Sequence, residues 1–392
     1  MKILSVNCGS SSLKFQAYEM PEEKVLISGV FERIGVGNSF YTIKINGEKI
    51  KHEVELNNHR QAFELLVKEL LENKIVKNLN EIKGIGHRIV QGGAYFDKTE
   101  IVTDAVIAMI DELSELAPLH NPAAIIGINA AKEVIPDALE TVVFDTAFHQ
   151  TIPEYNYLYA LPKNWYEKYK IRRYGAHGTS HKYVANRMNE ILGRTDTKLI
   201  TCHIGSGASI SAVMNGKCLN TSMGLTPNAG LIMGTRCGDI DATILPYLIN
   251  KTNISPKEID TALNKQSGLL AISNGKSDFR DISDGYYNGD PDCTLALKMY
   301  IRRIADYIAK YYVEMQGCDA IVLTAGVGEN ASLFREKLLE QLKVLGIEGN
   351  PETYTKPGVE IKLTTNNSRI PVYVIPTDEE VMMARDTYEF LK

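Results

Sequence analysis

Two short stretches carry residue types that can grip anions, and they read alike. Val6 to Phe15 is V-N-C-G-S-S-S-L-K-F, and Leu199 to Val213 is L-I-T-C-H-I-G-S-G-A-S-I-S-A-V. In each, an apolar run reaches a polar side chain (Asn7, His203), a Gly/Ser tip follows, and a second alternating run leads away. That pattern predicts a hairpin. Backbone N–H groups and hydroxyls at such a tip can form an anion nest, with Lys14 adding charge beside the first; a plain turn has the same composition. Arg88 lies in the apolar run of residues 84–93, where a guanidinium needs a buried carboxylate or an anionic ligand. Arg236 sits in a Gly-rich stretch beside Asp239 and Asp241, as a local ion pair or as a second guanidinium offered to a ligand. Asp145 ends the run T-V-V-F-D, and a carboxylate at the carboxyl end of an α/β strand faces the usual ligand crevice. His177 lies in G-A-H-G-T-S-H, where glycine lets backbone come close to a ligand. Its spacing to His181 is that of a zinc pair, but no general-base Glu lies between them, which argues against zinc. Near residue 379, Thr377 and Glu380 have capping-box spacing, leaving Glu379 either at a helix N-terminus or near a metal.

These side chains need a frame. Gly9 and Gly205 lie 196 positions apart, half of 392, so the echo predicts duplication into two like domains. The expectation is an α/β, duplicated ribonuclease-H-like fold, the superfold of actin, sugar kinases and heat-shock ATPases, with a central cleft. The expected domains are 1–148 and 149–380, with a helix over 381–392 packing back on the first. Strands are predicted over Val25–Val30 and Tyr41–Ile45, with Asn46-Gly47 as a hairpin turn. Helices are predicted over 60–72, 104–116, 182–192, 295–315 and 333–345. Between an apolar strand and the last of these, Gly326-Val-Gly328-Glu-Asn-Ala331 matches G-x-G-x-x-A, which opens an alternative: an NAD-binding oxidoreductase.

Net charge is −5, with basic residues scattered, which excludes a nucleic-acid or anionic-membrane partner from the expectations. No run reaches the length of a membrane span, and the start lacks signal-peptide character, so a cytoplasmic location is expected. None of the six cysteines forms C-x-x-C, and reduced thiols are the simplest reading. Cys8 and Cys237 read as small apolar fillers.

Together the motifs N-C-G-S-S-S-L-K, G-H-R-I-V, A-P-L-H-N-P, F-D-T-A-F-H, H-G-T-S-H, M-G-T-R-C-G-D-I-D, G-V-G-E-N and T-D-E-E resemble, in order and over the whole chain, the acetate kinase family of acetate, propionate and butyrate kinases. The resemblance implies reversible phosphoryl transfer from ATP to acetate, giving ADP and acetyl phosphate, with Mg²⁺ (or Mn²⁺) and a homodimer. It implies that Asn7 and Glu379 hold the metal and that Lys14 contacts nucleotide phosphate. It implies that Arg88 binds substrate, that Asp145 is catalytic, and that His177 and Arg236 stabilise the transition state. ATP contacts are implied at His203, Ile204, Gly205, Ser206 and Gly207, at Asp278, Phe279 and Arg280, and at Gly326, Val327, Gly328, Glu329 and Asn330. An acyl pocket is implied at Val90, Leu119, Ala176 and Pro227. The sequence departs from the family pattern at Ser206 (commonly Asn), at Gln91 and Ala94 (His and Glu), at Asp378 (Asn), and at Asn228-Ala229-Gly230 (L-E-G). Propionate or butyrate kinase is the nearest alternative. A heat-shock-type ATPase would share the hairpins and be expected to carry a peptide-binding segment after them.

Overall fold

The computed structural model describes residues 1–118 and 120–392. The chain divides into two compact units, the first made of Met1–Gln150 with Asp378–Lys392, the second of Thr151–Thr377.

The first unit holds β1 (Lys2–Gly9), β2 (Ser12–Glu19), β3 (Lys24–Glu32), β4 (Phe40–Ile45), β5 (Glu48–Glu53), β6 (Ile82–Ile89), β7 (Glu100–Ile101) and β8 (Leu139–Phe144), in sheet order β5-β4-β3-β2-β1-β6-β8-β7. The second holds β9 (Lys198–Ile204), β10 (Ala208–Met214), β11 (Lys217–Thr221), β12 (Ala320–Thr324), β13 (Ile361–Lys362) and β14 (Val372–Val374), in order β11-β10-β9-β12-β14-β13. The series β3-β2-β1-β6-β8 and β11-β10-β9-β12-β14 match position for position. In each, three strands make an antiparallel meander and two more join parallel to the first. The same mixed α/β order thus occurs twice, which is the duplicated ribonuclease-H-like fold. It also removes the dinucleotide reading, because such a fingerprint opens an all-parallel βαβαβ half. Here the sheet that leads into Gly326 begins with an antiparallel meander.

The two hairpin tips differ in length. Gly9 pairs with Ser12 across a two-residue turn, whereas Gly205-Ser206-Gly207 separates β9 from β10. The Asn46-Gly47 turn has φ of 51° and 86°, the left-handed pair a tight hairpin requires. The helix expected from Lys182 begins earlier, at Gly178, because His177 takes a left-handed N-cap conformation that lets the chain enter the helix at once.

In the first unit, β6 alternates between two faces. Ile85, His87 and Ile89 are buried, and Gly84, Gly86 and Arg88 share the other face. Helix Glu379–Glu389 lies against that second face. A Cβ on Gly86 would stand 2.7 Å from Thr387 Oγ1 and 3.1 Å from the Met383 carbonyl, and one on Gly84 would stand 2.7 Å from Thr387 Cγ2. The glycines let the helix sit close to the strand, and Arg88, next on that face, meets the helix N-terminus. In the second unit, helix Pro291–Glu314 buries Leu297, Ile301, Ile304 and Ile308 in a core that includes Ile200, Ile210 and Leu323 from the sheet.

Gly86→Ala overfills this contact and is expected to cost about 1–3 kcal/mol. A lowered thermal unfolding midpoint checks it; an unchanged midpoint would mean that the helix is not held by this close approach.

Candidate active site

Each unit gathers its own candidate side chains. In the first, the parallel register sets Arg88 beside Val143, so that Asp145 emerges just past the end of β8. The Asp145 N–H donates to the Ile89 carbonyl, fixing that end. Arg88 then donates to Asp145 from Nε to Oδ1 at 3.0 Å and to Oδ2 at 3.2 Å, and from Nη2 to Oδ2 at 2.7 Å. Arg88 Nη2 also lies 3.6 Å from Glu379 Oε2. Burial alone would lower the Arg88 pKa, but Asp145 and then Glu379 outweigh it and push it up. Lys14, opposite Asn7 in the hairpin, pairs with Glu380. Ser5, two residues before Asn7 and on the same face of β1, donates to the Glu380 carbonyl at 2.6 Å. Asn7, Lys14, Arg88, Asp145 and Glu379 therefore surround the N-terminus of one helix. Val90 is half-buried just past β6. Leu119 lies outside the described residues.

The capping box expected from Thr377 and Glu380 is not what forms. Asp378 caps the helix, accepting from the Val381 N–H at 2.8 Å and from the Tyr18 hydroxyl at 3.1 Å. Thr377 is engaged elsewhere: its N–H donates to Glu329, and its hydroxyl bonds Ser180. The Glu380 carboxylate goes to Lys14. Three adjacent acids thus take three separate jobs.

Among the described residues no three His, Cys, Asp or Glu side chains are arranged around a metal point, but acids outnumber cations here. Asp145, Asp378, Glu379 and Glu380 face two positive side chains, Arg88 and Lys14. Burial pushes the Glu379 carboxyl up; Arg88 opposes that, and Asp145 and Glu380 reinforce it. An amide and carboxylates, without sulfur or imidazole, suit a hard divalent ion that keeps part of its water and takes further oxygens from phosphates.

The second unit gathers cationic and neutral donors. His177 has φ of 60° and ψ of 23°, a left-handed conformation that costs a non-glycine residue about 1–2 kcal/mol. Its ring stacks on His203, with centroids 4.0 Å apart and planes 23° from parallel. His177 Nδ1 lies 2.9 Å from Ser209 Oγ, and His203 Nδ1 lies 2.8 Å from Ser180 Oγ. Arg236 does not form the local ion pair with Asp239 or Asp241. Asp239 accepts from the Gly230 N–H and the Tyr307 hydroxyl, and Asp241 caps Thr243. Arg236 Nη1 donates instead to the Pro227 carbonyl at 3.1 Å and contacts Met233 sulfur. Burial lowers its pKa, and no carboxylate among the described residues offsets that. Its tip and the imidazole converge. A methyl built on Gly207 would stand 3.5 Å from Arg236 Nη1 and 3.6 Å from His177 Nε2. The glycine keeps that point open, and two donors face it. Ala176 is buried just before His177, and Pro227 is half-buried.

Beside the Gly205–Gly207 turn lies a cavity of about 670 Å³. Of the positions expected to contact ATP, Gly205, Ser206, Asp278, Phe279, Arg280, Gly326, Val327 and Asn330 line it. Ile204 is fully buried in β9 and His203 backs His177. Gly328 packs its backbone over Leu323. Glu329 does not line the cavity: its Oε1 accepts from Thr324 Oγ1, the Ala325 N–H and the Thr377 N–H, which holds the turn. Asp278 caps the Arg280 N–H and accepts from the Arg280 guanidinium, and these bonds, side chain first, pull its carboxyl down to about 2. Tyr287 and Tyr300 also line the cavity. Sequence reasoning missed both; Tyr300 lies inside the long helix predicted over 295–315, with nothing in its spacing to single it out.

His181, the other half of the supposed zinc pair, has Nδ1 on Thr201 and Nε2 on Ser209, so it is not arranged as a metal ligand. Burial pushes the Cys8 thiol up to about 12, consistent with a packing role.

A doubled ribonuclease-H-like frame, a glycine turn faced by an arginine and a histidine, and an adjoining cavity define the class of two-domain, nucleotide-using phosphotransferases. The relatives narrow it. The profile of the Acetokinase family matches residues 2–385. An acetate kinase of Bacillus velezensis is 51% identical over 387 residues, covering 98% of each chain. Among solved structures, acetate kinase of Porphyromonas gingivalis superposes with a TM-score of 0.95 at 43% identity over 100% of both chains. A propionate kinase of Francisella tularensis superposes at 0.93 with 40% identity over 99% of both. The chain belongs to the acetokinase family.

Proposed function

We propose that this protein transfers the γ-phosphoryl group of ATP reversibly to acetate, giving acetyl phosphate and ADP. The observation that carries the reading is the point above Gly207, where Arg236 Nη1 and His177 Nε2 face one open space beside the cavity. Phosphoryl transfer asks little covalent work of a protein and much positioning and charge. Arg236 has no carboxylate partner among the described residues and can donate to a phosphoryl oxygen that serves as its counter-charge. His177 adds an imidazole donor. Residues of the cavity wall hold the nucleotide, with the Gly205–Gly207 turn at its phosphate end.

In the first unit, Asp145 holds the Nε and Nη2 edge of Arg88, and the rest of the guanidinium is offered to the substrate carboxylate. Acetate is already ionised at neutral pH, so no general base is needed for its attack. Asp145 is read as positioning Arg88, and the transfer is read as one direct in-line step. Asn7 and Glu379 would hold Mg²⁺, which when bound supplies charge neutralisation to the phosphate oxygens.

A second reading, propionate kinase, is favoured by the Francisella relative. Val90 would narrow an acyl pocket, while Ala176 would widen it. One methylene in such a pocket is worth about 1–3 kcal/mol. Relative kcat/KM for acetate, propionate and butyrate is the deciding experiment. Acetate is expected to lead propionate by about tenfold or more; a preference for propionate would select the second reading.

Arg236→Ala is expected to lower kcat by roughly 10³, in line with other lost charge stabilisers in phosphoryl transfer. A loss under tenfold would remove Arg236 from this role.

A homodimer is part of the same proposal. Helix Ile244–Thr252 buries none of its residues within the chain, and Ile240, Ile244, Tyr247 and Ile249 are exposed. Such a patch supports self-association, and a sedimenting species of two chains is expected; a monomer at assay concentration would overturn it. Among the described residues, no helix is long and apolar enough to cross a membrane. The free cysteines fit the cytoplasmic setting proposed for this enzyme.

A further inference from the structure

The geometry points to Ser209 as the residue that sets the tautomer of His177, through a hydrogen-bond thread continuing to His181 and Thr201. The inference rests on the role given to His177 above and adds the residues that prepare it. Ser209 Oγ lies 2.9 Å from His177 Nδ1 and 2.8 Å from His181 Nε2. His181 Nδ1 lies 2.7 Å from Thr201 Oγ1. Thr201 on β9, Ser209 on β10 and His181 in helix Gly178–Leu192 are all fully buried.

A hydroxyl owns one proton. Facing two imidazole nitrogens, Ser209 donates to one and accepts from the other. A neutral His177 that donates from Nε2 to a phosphoryl oxygen must accept at Nδ1, so Ser209 donates to it. Ser209 then accepts from the His181 Nε2–H. His181 Nδ1 accepts in turn, and the Thr201 hydroxyl donates to it. The donors run Thr201, His181, Ser209, His177, ligand, with each protein link at 2.7–2.9 Å. The reverse direction would leave a lone pair on His177 Nε2, facing phosphoryl oxygens that repel it. Thr201 has one competing acceptor, the Ser211 carbonyl, but at 3.5 Å this is the weakest contact of the set. The tautomer of a histidine follows the hydrogen bond at its other nitrogen, and here that bond is Ser209. Ser209 and His181 are positioning residues, because neither nitrogen of His181 nor the Ser209 hydroxyl is the group that meets substrate.

The test is the tautomer itself, read by long-range ¹H–¹⁵N spectra of histidine-labelled enzyme, with the His177 signals assigned by their loss in His177→Ala. The expected wild-type state of His177 is Nε2–H. Ser209→Ala is expected to shift it toward Nδ1–H and lower kcat about tenfold, the scale of one hydrogen bond. Both KM values should move by less than roughly twofold, since the interaction is made mainly in the transition state. Ser209→Thr keeps the hydroxyl and should retain the wild-type tautomer. In a His177→Ala background, Ser209→Ala should cost nothing further. An Nδ1–H state in the wild-type spectrum overturns the proposal even if Ser209→Ala does not fold. The same kcat loss in the His177→Ala background also overturns it, because Ser209 would then be merely structural. If His177→Ala left kcat unchanged, the functional reading of His177 would be what fails, and the spectra would still judge Ser209.

Discussion

A half-buried guanidinium without a carboxylate is unfavourable, and the second unit is built around one. Arg236 keeps a carbonyl and a thioether for company, while the nearby acids Asp239 and Asp241 are committed to a tyrosine, backbone amides and a threonine. The positive charge is therefore left for something else to neutralise. Around it the backbone adopts conformations that L-residues resist, at His177 and at Ala325, whose φ is 63°. Strain of this kind persists only where packing over-determines it, and it gathers at sites that work on ligands. Gly207 completes the arrangement by having no side chain to fill the space.

The first unit has the opposite electrostatics. Arg88 there is gripped by Asp145 and neighboured by Glu379, and the cluster around the helix N-terminus is richer in carboxylates than in cations. Donors thus converge on one open point in the second unit, while acceptors outnumber cations in the first. The two units share a strand order but not a charge pattern.

Much of this was legible before coordinates. The repeated Gly/Ser tips foretold two like sheets, because an apolar strand, a small-residue tip and a second strand leave a periodic trace. Arg88 and Arg236 stood out because charge in an apolar or glycine-rich run is costly. What the sequence could not display was partner choice. Arg236 sits beside two aspartates in the chain and pairs with neither. Thr377 and Glu380 have the spacing of a capping box, but tertiary bonds to Glu329, Ser180 and Lys14 claim them first. Glu329 lies within a glycine motif that looks made for phosphate, yet its carboxylate faces the protein. Ser209 gave no signal at all, since a serine alternating along a strand is ordinary until the two imidazoles on either side of it are seen.

The close seat of helix Glu379–Glu389 against Gly84 and Gly86 bears on how the chain is made. The sheet it covers is encoded at the start of the sequence, while the helix is translated only after the whole of the second unit. During vectorial synthesis, β6 must therefore wait with its glycine face bare, and the second unit, contiguous from Thr151 to Thr377, can complete itself first. The half that leaves the ribosome earliest is the half that matures last.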